Sequence, residues 1–140
     1  MIKSIYKYLF LFFTGGIIYL IIELISRDGY THWVMGIVGG SCFVLIGLIN
    51  EKKREKIPFW LQCIIGGVIV TVVEFISGIL INLVFHWNVW DYSDHKYNLL
   101  GQICLDFSLL WCVLSGIAIV VDDYLRYWFF GEEKPHYRIF

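Results

Sequence analysis

The sequence predicts an all-α integral membrane protein. Four transmembrane helices form two hairpins, related by a pseudo-two-fold axis along the membrane normal. Three observations lead there. First, 59% of the 140 residues are hydrophobic, 16% are charged and mean hydropathy is +0.70, whereas a soluble domain is nearer 45–50% apolar and about 25% charged. Second, four continuous apolar runs have lengths close to the ~17–25 residues that cross a bilayer as helix. Third, "GGIIYLIIELIS" (Gly15–Ser26) and "GGVIVTVVEFIS" (Gly66–Ser77) share six of twelve positions, including Gly-Gly and a glutamate.

The first helix is expected at about residues 8–26. Its basic start, Lys3 and Lys7, resembles that of a signal peptide. The run is long, holds Glu23 and lacks a small-x-small cleavage site, so a retained helix is expected. The second is expected at about 33–49, the third at about 59–85 and the fourth at about 99–121. The runs are continuous rather than alternating, which excludes membrane strands. Helices satisfy every backbone polar group within the segment, as lipid requires. The whole chain reads as one transmembrane domain, with residues 122–140 as a cytoplasmic interfacial tail.

Lysine and arginine set the expected orientation. Lys3, Lys7, Lys52, Lys53, Arg54, Lys56, Arg126, Lys134 and Arg138 fall on one side of this topology, and only Arg27 and Lys96 on the other. The positive-inside rule then places both termini in the cytoplasm of a cell whose inner or plasma membrane holds the chain.

The repeat relates the first helix to the third. Each half continues to a His-Trp pair, His32-Trp33 and His86-Trp87, and then to a glycine-containing helix with a cysteine nearby. Parallel internal repeats of this kind relate two halves of a membrane fold. Shared letters between two apolar helices also arise by coincidence.

Ionisable groups inside a membrane helix are costly and should face the bundle interior or a water-filled cavity. Glu23 lies four residues before Arg27, on one face. Glu74, Gly78 and Asn82 form a stripe on the third helix, and Gln102 and Asp106 share a face of the fourth. Glu23, Arg27, Glu74, Asn82, Gln102 and Asp106 are therefore expected to line a polar intramembrane site opening outward. The alternative is a hydrogen-bond network that locks the helices together.

The loop "HWNVWDYSDHKYN" is rich in Trp, Tyr and Asp. With His32, its residues Trp87, Trp90, Asp91 and Tyr92 form either an outer lid over that site or an aromatic anchor at the headgroup level. At the other end, Asp122 and Asp123 are expected to pair with the basic second loop.

The glycines Gly15, Gly16, Gly36, Gly39, Gly40, Gly66 and Gly67 suit close helix packing. Cys42, Cys63, Cys104 and Cys112 lie in apolar runs without CxxC spacing and read as small hydrophobes. His32, His86 and His95 lie near Asp91 and Asp94 without a metal-binding motif, so no metal and no cofactor is expected. No catalytic set can be named.

"THWVMGIVGG", "NLVFHWNVWDYS", "NLLGQICL" and the closing "DDYLR" resemble the bacterial membrane family described as "Putative ABC-transporter type IV" (CmpB-like), over about Gly15 to Arg126. The resemblance implies a transporter or channel component. The chain carries no Walker A pattern, so an ATPase would be a separate subunit. Two alternatives stay open: a membrane-embedded enzyme acting on a lipid or isoprenoid substrate, and a structural or accessory subunit. Expected partners are membrane lipid and a further copy, membrane subunit or ATPase, with no nucleic acid.

Overall fold

The computed structural model describes residues 2–29, 31–53 and 57–139. Arg54 and Lys56 of the basic second loop lie outside the described residues. Four α-helices follow one another: α1 (Ile2–Ser26), α2 (Val34–Lys53), α3 (Phe59–Gly78) and α4 (Leu105–Phe130). Three segments, Ile2–Ser26, Phe59–Val84 and Leu105–Phe130, are long and apolar enough to cross a membrane. Within α2, Val34–Ile49 is a shorter apolar helix.

The helices pack chiefly as α1 on α2 and α3 on α4, and α2 also touches both α3 and α4. The Gly-Gly pairs make this close packing possible. A Cβ on Gly16 would lie 2.6 Å from the Gly36 carbonyl oxygen of α2, and one on Gly66 would lie 2.6 Å from Ser115 Cβ of α4. Gly15 meets Phe43 of α2, and Gly67 meets Cys112 of α4. Small residues at membrane helix contacts let backbones approach in this way.

Local chemistry sets the helix ends. Asp28 and Gly29 adopt left-handed backbone after α1, where the Gly29 N–H reaches back to the Leu24 carbonyl at 2.7 Å. The start of α2 is held by His32, whose Nδ1 accepts from the Val34 N–H at 3.2 Å. The third span keeps helical winding beyond Gly78 by switching to a π-helical extension, Ile79–Val84. Gly131, at φ 65°, ends α4.

The fourth helix differs from its expected bounds of 99–121. It starts at Leu105 and runs to Phe130. Asn98–Leu99 (β1) and Ile103–Cys104 (β2) instead form a short antiparallel ladder, with Asn98 opposite Cys104 and Leu99 opposite Ile103. Leu100 and Gly101 take positive φ in the turn, and Asn98 Oδ1 accepts from the Gly101 N–H at 3.0 Å. A continuous apolar run concealed this turn. Residues 122–130, expected in the tail, continue the helix.

Beyond Gly131 the chain folds back over the start of α3. The Phe59 N–H donates to the Arg138 carbonyl at 2.6 Å, and the Phe59 and Tyr137 rings lie 5.1 Å apart.

Candidate functional site: a cavity between the hairpins

α1 barely touches α4. A cavity of about 570 Å³ lies among the four helices, on the side where α1 and α4 stand apart. All four helices contribute to its wall: Tyr19 and Glu23 from α1, Met35 and Cys42 from α2, Glu74 from α3, and Phe107, Trp111 and Ser115 from α4. Trp90, Asp91, Tyr92 and His95 of the long loop line the end nearest that loop. From Phe107 to Val121 the α4 wall alone runs about 20 Å, at 1.5 Å per residue. Most of the lining is apolar, and Ile18, Ile22, Leu110 and Ile117 at its margins are exposed.

The polar groups gather toward the loop end. Glu23 is doubly held: Tyr19 Oη donates to its Oε1 at 2.9 Å, and Arg27 Nη1 donates to its Oε2 at 3.2 Å. Arg27 also donates from Nη2 to the Val89 carbonyl at 2.9 Å, which ties α1 to the loop. Glu74 is in a different situation. It is 93% buried, at 7% exposure, and no cation pairs with it among the described residues. Tyr19, Tyr92 and Trp111 lie close enough to act on it electrostatically. The buried Trp111 indole N–H has no partner at full hydrogen-bond geometry, and the Glu74 carboxyl is the acceptor it acts on. Lower in the cavity, the Ser115 hydroxyl is buried and unpartnered.

A chain of ring contacts runs along the same cavity wall. Tyr92 stacks on Phe107 with centroids 4.9 Å apart and planes 14° from parallel. Phe107 lies 6.3 Å from Trp111, and Trp111 lies 6.2 Å from Tyr19. These four aromatic side chains come from α1, the loop and α4, so the assembly requires both hairpins.

The sequence-expected set divides in two. Glu23, Arg27 and Glu74 line the cavity, with Trp90, Asp91 and Tyr92 at its loop end. Asn82 and Gln102 do not line it. They clamp the loop instead: Asn82 Nδ2 donates to Gln102 Oε1 at 2.8 Å, and Asn82 Oδ1 accepts from the Val89 N–H at 2.7 Å. Trp90 Nε1 donates to the Gln102 carbonyl at 3.0 Å, and Gly78 leaves room beneath both side chains.

Gln102 sits in the turn between β1 and β2, not on a helical face shared with Asp106. Asp106 departs furthest from expectation. Its side chain is 76% exposed and lies 3.5 Å from His95 Nδ1, in the first turn of α4, where a carboxylate complements the helix dipole. His32 and Trp87 also stand apart from the cavity, their rings 5.4 Å from each other beside Trp33. Asp91 turns toward the loop backbone, and bonds from the Ser93 hydroxyl and N–H hold its carboxyl below the usual range.

A second charged cluster was not expected as such. Asp122 and Asp123 are fully buried, and Arg126 engages both from within the same helix. Arg126 also reaches Glu132 at 3.1 Å and the Gly47 carbonyl of α2 at 3.3 Å. Tyr137 Oη donates to Asp123 Oδ2 at 2.9 Å, fastening the folded-back tail. The i, i+3 and i+4 spacing in "DDYLR" is the signal that announces this cluster. Among the described residues no group of three or more His, Cys, Asp or Glu is arranged to hold a metal.

The model of one protein family, described as "Putative ABC-transporter type IV", matches residues 10–129. The chain belongs to that family. The match takes in both hairpins, the long loop and the Asp122–Asp123–Arg126 cluster. No solved structure matches this chain.

Proposed function

We propose that this protein is the membrane-embedded component of a transporter, and that the cavity between its hairpins is an outward-opening solute site with Glu74 as its binding group. The observation that carries this reading is Glu74 itself. A buried carboxylate without a cation is expensive to keep in a low-dielectric interior, and here it faces a cavity large enough for a solute. An intramembrane acid lining such a space is characteristic of substrate and ion pathways. The family supports the same direction.

In this reading both termini are cytoplasmic, as the lysine and arginine distribution requires, and the chain sits in the cytoplasmic membrane of a bacterium. Residues 132–139 then lie at the inner interface. The two hairpins are pseudo-symmetric halves. Gly15-Gly16 and Gly66-Gly67 each face the second helix of their own hairpin, and Glu23 and Glu74 reach one shared cavity. Energy from ATP would require a separate ATPase subunit.

Cysteine labelling tests the site. Met35 is 5% exposed and lines the cavity. In a variant with the four native cysteines replaced, Met35→Cys is expected to react with a membrane-impermeant thiol reagent added from outside intact cells. Labelling from the cytoplasmic side alone, or from neither side, contradicts an outward-opening cavity.

A further inference from the structure

The chemistry of the cavity wall specifies what fits it, granted the solute site proposed above. Glu74 offers a buried carboxyl with no cation paired to it among the described residues. Arg27 is already engaged by Glu23 and the Val89 carbonyl, so the wall favours a positive ligand over a negative one. The rings of Tyr19, Tyr92, Phe107 and Trp111 line the same cavity as this acid. Aromatic faces attract cations, and several of them together recognise alkylated ammonium groups, whose charge is spread over methyl surface. Below this level, Phe43, Leu114 and Ala118 continue the wall without charge. The cavity margins beside α1 and α4 are exposed and apolar, so a chain-bearing ligand can approach from the lipid.

We propose that the cavity binds an amphiphilic alkylammonium. Its cationic head sits against Glu74 beside the four aromatic rings, and its alkyl chain runs down the wall toward Ala118. Two independent features converge on this class: a carboxyl with no cation beside it among the described residues supplies the counter-charge, and the rings that line the cavity supply the selectivity for an alkylated cation. A small inorganic cation would use the first and gain nothing from the apolar length. An alkyl carboxylate would fit the length and be repelled at the head.

The test uses the full chain in lipid nanodiscs and radiolabelled decyltrimethylammonium, with binding to empty nanodiscs subtracted. Saturable binding is expected. Unlabelled decanoate should displace the probe at least tenfold less effectively than unlabelled decyltrimethylammonium. Glu74→Gln should weaken binding tenfold or more without lowering the melting temperature. Trp111→Leu should weaken it several-fold, and Trp111→Phe less. The Trp111 pair decides the matter if Glu74→Gln does not fold.

Decanoate competing as well as the cation overturns the proposal. So does undiminished binding by Glu74→Gln, or equal binding by both Trp111 variants and the parent chain. Such failures leave the cavity reading in place as long as Met35→Cys is labelled from outside. Loss of that labelling removes both.

Discussion

Glu23 and Glu74 occupy matching positions in two similar stretches of sequence and line one cavity, yet Glu23 has an arginine at 3.2 Å and Glu74 has none among the described residues. The position four residues on explains the difference. After Glu23 it is Arg27, and after Glu74 it is Gly78. The first hairpin neutralises its acid and uses the arginine to hold the loop. The second leaves its acid for the cavity and uses the glycine to seat Trp90 and Gln102.

Arg27 therefore supports both an ion pair and a loop contact. Arg27→Ala is expected to lower stability by about 1–2 kcal/mol, because the Val89 carbonyl and Glu23 each lose a charge-assisted partner. Arg27→Lys should recover part of that loss, since an ammonium lacks the planar fork that reaches both acceptors. Thermal unfolding in detergent measures the order: parent, then Lys, then Ala.

The Asn82–Gln102 clamp holds the loop that lines one end of the cavity. Asn82→Leu leaves the Val89 N–H and Gln102 Oε1 buried without their partners, at about 1–3 kcal/mol for each group. Hydrogen exchange should rise across residues 86–104 and stay low in the middle of α1 and α2. Uniform loosening of all four helices would contradict a local clamp.

Much of the fold is legible in the sequence because lipid imposes so simple a rule. Long apolar runs must be helices there; α2 and α3 begin within one residue of their runs, and α1 begins six residues ahead of its run. The fourth run misleads. "NLLGQIC" is as apolar as a helix, but Asn98 and Gly101 build a turn inside it. That turn moves Gln102 off the helix and places Asp106 in an exposed first turn. The candidate site was legible in part. Helical spacing puts Glu23 with Arg27 and aligns Gly78 with Asn82. It does not tell which stripe faces a cavity and which faces a loop, because that depends on packing between hairpins distant in sequence. The chain of ring contacts along the cavity wall has the same origin, drawing on Tyr19, Tyr92, Phe107 and Trp111.

At the other end of the bundle, Arg126 holds Asp122 and Asp123 in a buried cluster. Arg126→Leu is expected to destabilise the protein by about 3–5 kcal/mol, because it strands two buried carboxylates. Tyr137→Phe removes one hydrogen bond to Asp123 and should cost about 1 kcal/mol. Its main effect should be easier proteolysis of residues 132–139, which limited digestion would detect.

The glycine contacts give a packing prediction. Gly16→Val places methyl groups against the Gly36 backbone, which has no flexible end to yield, and should cost about 1–3 kcal/mol. Ile25→Val, at a position 76% exposed, should be nearly neutral. Equal melting temperatures for the two variants would contradict the close α1–α2 approach.

The central claim is that Glu74 is the acid left available in the cavity, whereas Glu23, Asp122 and Asp123 are held by arginine. Membranes containing the protein can be treated with a lipophilic carbodiimide, which adds to accessible carboxyl groups, and the modified peptides mapped by mass spectrometry. Glu74 is expected to be modified first and most completely, ahead of acids whose oxygens Arg27 or Arg126 already engages, and decyltrimethylammonium should protect it. Modification of Glu23 or Asp122 with Glu74 untouched would contradict the account.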